Sequence, residues 1–185
     1  GFVMTIYRRR LASSFQALRM TLEGRLEALK RPGRLTEVAD EDVPEEDDVD
    51  GELAEVEYLD GTLTVANEFE EPALIASLLE DIRALPPDTK VEWLLTQLRQ
   101  LRDEGRQQAM VFTQFTDTLD YVRGRLAGAG FRVLCFSGRG GEAMTPGGQW
   151  TPVSREESKR RFAAGAADIL MCTDAAAEGL NFQFC

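Results

Sequence analysis

The sequence predicts an α/β domain, a parallel sheet flanked by helices, preceded by a helical lead-in. Three observations predict it. Apolar runs at 109–113, 131–136 and 168–172 have the length of strands buried on both faces. Segments with helical spacing, 116–129 with Leu119, Val122 and Leu126, and 155–164, separate them. Strand, helix, strand, helix, strand in that order calls for parallel pairing through crossovers.

The other elements follow from spacing and breakers. Leu11, Phe15, Leu18, Leu22, Leu26 and Leu29 recur three and four residues apart, which predicts one amphipathic helix over residues 1–31. Pro32-Gly33 stops it. From Pro72 a second helical pattern carries Leu74, Leu78, Ile82 and Leu85 up to Pro86-Pro87. Asp88 or Thr89 can cap the next helix, which carries Val91, Leu94, Leu95, Leu98 and Leu101 and ends near Gly105. Residues 137–153 are rich in glycine and read as a loop. The boundaries expected are a lead-in over 1–36, an acidic linker over 37–71 and a lobe over 72–185. Three strands make a thin sheet for this class, so further protein is expected after Cys185.

Charge is distributed unevenly. The net value is −11, yet residues 37–60 hold thirteen acids and no base. Residues 106–185 hold eight acids and nine bases. The acidity is one tract, and it does not argue against a nucleic-acid partner for the remainder. The tract has too few apolar groups to offset chain entropy and reads as a solvated linker or a partner-binding segment. Two motifs inside it are weak: Asp40-Glu41-Asp42-Val43 has no apolar strand before it, and Glu46 to Glu57 imitates a calcium loop with Glu in the first ligand place.

Cys135, Cys172 and Cys185 form no Cys-x-x-Cys, and the chain has no His, so no zinc site is expected. Cys135 and Cys172 lie in apolar runs and read as small buried hydrophobes. No apolar run reaches the roughly 18 residues a membrane span needs. Arg8, Arg9 and Arg10 follow the apolar N-terminus instead of preceding it, the wrong order for a secretory signal.

The segment Ile169-Leu170-Met171-Cys172-Thr173-Asp174-Ala175-Ala176-Ala177-Glu178-Gly179-Leu180-Asn181-Phe182-Gln183 closely resembles motif V of Snf-type (Swi/Snf) superfamily-two helicase-like ATPases. Val111-Phe112-Thr113-Gln114-Phe115-Thr116 resembles motif IV of that family. Phe136-Ser137-Gly138 and Arg155 to Phe162 fall where the family has its Gly, Arg and Phe signature. The resemblance is strong over about residues 88–185. It is weaker over 1–31, where Arg10-Leu11-Ala12-Ser13-Ser14 looks like the lead-in of a bacterial subset. The Gly-rich loop with Trp150 fits the same subset.

The resemblance implies an incomplete RecA-like lobe of the P-loop NTPase type, the second motor lobe of an ATP-dependent translocase on double-stranded DNA. It implies nucleic-acid contacts from Gln114, Thr116 and Thr173. Glu178, Gly179 and Asn181 would serve the nucleotide cleft. ATP and Mg²⁺ would belong to the whole protein, working with its first RecA-like lobe in the cytoplasm, or on the nucleoid of a bacterium. No Gly-x-x-x-x-Gly-Lys-Ser/Thr occurs here, so this chain alone is expected to hydrolyse nothing.

Blander readings stand beside these. A Thr-Asp pair after a strand can be a helix cap, and Thr116 can cap the helix that follows it, with Asp117 favouring its positive end. Arg155 can cover a phosphate or be a solvated residue of a helix's first turn. Lys159, Arg160 and Arg161 read as a solvated face. The alternative for the whole chain is a non-catalytic regulatory or protein-binding module that kept the lobe's shape.

Overall fold

A computed structural model describes residues 2–30 and 71–173. The chain divides into two compact units, residues 1–86 and 87–185, and each is described by itself. The helix Glu71–Ala84 falls in the first unit.

In the first unit, α1 (Phe2–Ser13), α2 (Phe15–Lys30) and α3 (Glu71–Ala84) pack together. The single helix expected over 1–31 is interrupted at Ser14. The Ser14 hydroxyl accepts from the Ala17 amide at 3.0 Å and so caps α2. The buried stripe also differs from the expected one. Ile6, Arg10, Ser14, Ala17, Thr21 and Arg25 are buried, whereas Leu11 is 46% exposed. Leu22 joins Ile75 and Leu79 of α3 in a small core, with Leu18, Leu26 and Leu29 against it. Arg25 donates to Glu71 from Nε at 3.0 Å and Nη2 at 3.3 Å, which ties α2 to α3.

The second unit opens with α4 (Thr89–Asp103). Asp88, itself buried, is its cap: the carboxylate accepts from the Lys90 amide at 3.0 Å. Then come β1 (Ala109–Thr113), α5 (Thr116–Gly128), β2 (Val133–Ser137), β3 (Gly140–Met144), β4 (Trp150–Val153), α6 (Arg155–Ala163) and β5 (Ile169–Thr173). The sheet order is β1-β5-β2-β3-β4. β5 pairs in parallel with both β1 and β2, while β2-β3 and β3-β4 are antiparallel.

The sheet is therefore mixed and has five strands among the described residues, where three parallel ones were expected. Residues 137–153 are not a loop but mostly a hairpin. Glycines in β3 and Pro152 in β4 hide the strand signal. Pro152 lacks an amide donor, and on an edge strand that discourages pairing with another chain.

Alternation divides the apolar residues between two faces. Val133, Cys135, Ile169 and Met171 join Val91, Leu95 and Leu98 of α4 and Leu119, Val122 and Leu126 of α5. Leu134, Phe136, Leu170 and Cys172 face the other way, where Phe162 of α6 is fully buried among them. Every residue of β2 and β5 is buried, as their unbroken apolar runs require. β1 departs from that expectation: Phe112 is 53% exposed.

Candidate nucleic-acid interface

The parallel strands β1, β5 and β2 end on one edge of the sheet, the edge at which open α/β sheets bind ligands. Thr173, the last residue of β5, stands in register with Thr113, the last of β1. Ser137 ends β2 one position beyond the pair of Phe136 with Cys172. Three hydroxyl residues from three neighbouring strands thus share one edge.

Thr173 is 1% exposed, and its Oγ1 has no hydrogen-bond partner among the described residues. A buried hydroxyl left so costs free energy unless something completes it. The Ser137 hydroxyl is occupied, accepting from the Arg139 amide at 3.2 Å.

Gln114 follows β1 directly and is exposed. Thr116 is the first residue of α5 and is half-buried. The cap position belongs to Phe115, with no side-chain capping bond, so Thr116 is not the helix cap. Asp117 lies in the first turn, where a negative charge suits the helix dipole. Gln114, Thr116 and Thr173 therefore come to the same edge. Glu178, Gly179 and Asn181 lie outside the described residues, as do the acidic tract and the two motifs inside it.

Cationic groups flank the hydroxyls. Arg155 opens α6 and stacks over the Phe136 ring at 5.4 Å from its centroid. It is exposed yet oriented, which a freely solvated side chain is not. The cap of α6 is Ser154, whose hydroxyl accepts from the Glu157 amide at 3.1 Å. The basic cluster of α6 is largely internal to that helix. Arg161 and then Arg160 bond to Glu157 and hold its carboxyl below the ordinary range. The solvated-face reading fits these pairs.

Reasoning from sequence missed Thr113, Ser137 and Arg139. Their place at or just past a strand end was the signal, and the hairpin after β2 was needed to see the third. A network holds that hairpin to α5. Arg139 Nη1 and Nη2 bond to Asp120 at 3.0 and 2.7 Å. Arg123 bridges Asp120 and Glu142, each at 2.8 Å, and stacks over Trp150 at 4.5 Å from the ring centroid. Cys135 lies beneath, and burial pushes its thiol up to about 12, so it stays protonated and unreactive.

Chemically, the edge offers hydroxyls, an amide and two guanidiniums, groups that position a phosphate backbone without reading bases. Among the described residues no group of three potential metal ligands converges, and no phosphate-binding loop occurs in the sequence.

Residues 89–185 match the sequence model of the helicase conserved C-terminal domain. The chain belongs to that family, and the fold is its RecA-like α/β lobe. Two curated plant proteins, both named DEAD-box ATP-dependent RNA helicase 24, are similar. The rice protein is 31% identical over 114 residues, 59% of this chain and 13% of that protein. The Arabidopsis thaliana protein is 30% identical over 103 residues, 55% of this chain and 12% of that protein. The chain thus spans about an eighth of the length of these relatives. Among solved structures, the Pyrococcus furiosus Hef helicase domain aligns with 91% of this chain and 28% of that one, at a TM-score of 0.49 and 20% identity.

Proposed function

We propose that this chain supplies the strand-gripping edge of the second motor lobe in an ATP-driven, nucleic-acid-dependent translocase. The observation that carries it is the buried Thr173 hydroxyl, without a hydrogen-bond partner among the described residues, at the end of β5 and in register with Thr113. A phosphate oxygen from a bound strand would complete it. Gln114 and Thr116 would add backbone contacts from the neighbouring strand end, and Arg155 a charge. Glu178, Gly179 and Asn181 would couple this edge to a cleft shared with a first RecA-like lobe, where ATP and Mg²⁺ would reside. ATP hydrolysis that drives the lobes between two arrangements gripping the strand differently would move them along it, with each ATP state favouring one arrangement.

The resemblance of motifs IV and V to the Snf type favours duplex DNA as the track. The two plant relatives, named as RNA helicases, favour RNA as a second reading. Binding to labelled DNA and RNA, single-stranded and duplex, separates the two. Thr173→Val keeps the shape and removes the hydroxyl. It is expected to weaken binding several-fold on the preferred track with the fold unchanged. ATP hydrolysis is expected only from the complete gene product, and to rise on adding that nucleic acid. If chain and complete product bind none of the four and hydrolysis does not respond, the motor reading fails. The protein-interaction module then takes its place.

A further inference from the structure

The four charged groups behind the hairpin form a closed ring. Asp120 accepts from Arg139 and from Arg123, and Glu142 accepts from Arg123 at 2.8 Å and from Arg139 at 3.5 Å. The two arginines are not equivalent. The Arg123 side chain is only 12% exposed and is stacked on Trp150. The Arg139 side chain is 47% exposed and stands in the turn that leaves β2. That turn is fixed by the bond from the Arg139 amide to Ser137 and by Gly140 at φ 96. It lies on the sheet edge that also carries Thr173 and Thr113.

We propose that Arg139 is a further phosphate-contacting residue, held in reserve by Asp120 until a nucleic-acid phosphate takes that carboxylate's place. The inference rests on the nucleic-acid reading above. A carboxylate and a phosphate present the same pair of acceptors to a guanidinium fork, so one replaces the other without new geometry. The exchange is cheap for two reasons. Asp120 and Arg139 are both solvent-accessible, and such pairs are weakly held. When Arg139 leaves, Arg123 still bridges Asp120 and Glu142, so neither carboxylate is stranded. Asp120 is thus an internal competitor that sets how strongly the edge attracts a strand.

The test is equilibrium binding of the chain to fluorescently labelled oligonucleotides over a range of salt, with urea unfolding of each variant alongside. Arg139→Gln is expected to bind several-fold more weakly, with a log–log salt slope shallower by about one. Asp120→Asn is expected to bind more tightly than wild type, because Arg139 is released. The double variant is expected to match Arg139→Gln, since without Arg139 there is nothing to release. If Thr173→Val weakens binding while Arg139→Gln and Asp120→Asn match wild type, the nucleic-acid reading stands and the reserve role falls. If Asp120→Asn loses affinity in step with stability, the ring is only a fastener and the proposal also falls. If wild type binds no oligonucleotide at low salt, both readings fall together.

Discussion

Gly141 has no room for a side chain. A Cβ there would collide with the Ser158 hydroxyl and lie 2.7 Å from the Val153 carbonyl oxygen. Ser158 can turn away, but the Val153 backbone is the partner of Gly141 across the hairpin. Gly141→Ala should therefore destabilise the lobe by about 1–3 kcal/mol, the usual cost of overpacking, as a lower urea midpoint will record. Asp168 gives a second residue-scale expectation. Partial burial works to raise its carboxyl, but the side-chain and backbone bonds from Arg132 outweigh it and hold the group below its ordinary 3.8. A depressed carboxyl contributes stability above the unfolded value and loses it as pH falls through the folded one. Asp168→Asn should thus cost at most about 1 kcal/mol near neutrality, since Arg132 is mostly exposed. Urea midpoints of the two proteins should converge as pH falls below that value.

At the scale of elements, α4 depends on its cap. Asp88→Ala removes an acceptor that is buried beneath the first turn and should cost about 1 kcal/mol in thermal unfolding. That cap was legible in the sequence, because a short polar residue stood between Pro87 and an apolar periodicity. β2 and β5 were legible for a related reason: strands buried on both faces need unbroken apolar runs, and these have them. The hairpin was not. Gly140, Gly141 and Pro152 are poor strand formers, and their pairing comes from tertiary neighbours that local pattern does not contain. The break at Ser14 was equally hidden, because Ser14 falls within an otherwise regular spacing. The site shows the same division. Gln114, Thr116 and Thr173 were expected from motif and position, and all three lie at the strand-end edge. Arg139 became visible only when the hairpin set it on the strand-end edge.

Across the whole molecule, both apolar cores of the second unit lie between Val91 and Cys172. A fragment of residues 87–185 should therefore unfold cooperatively in urea by itself. A gradual, non-cooperative loss of its far-ultraviolet dichroism would count against that. The sheet order also places the latest of its described strands inside the sheet and not at its edge. β5 follows β1 by more than fifty residues in the chain, yet lies between β1 and β2. Until residues 169–173 leave the ribosome, β1 has no hydrogen-bonded neighbour among the described strands, and the edge of β2 that will meet β5 is bare. During synthesis the lobe is thus an open clasp that closes in one late step, over long loops, the kind of assembly that is slow and prone to capture by other chains. Nascent chains halted before Ile169 should be cut readily by protease, and those extended past Thr173 should resist.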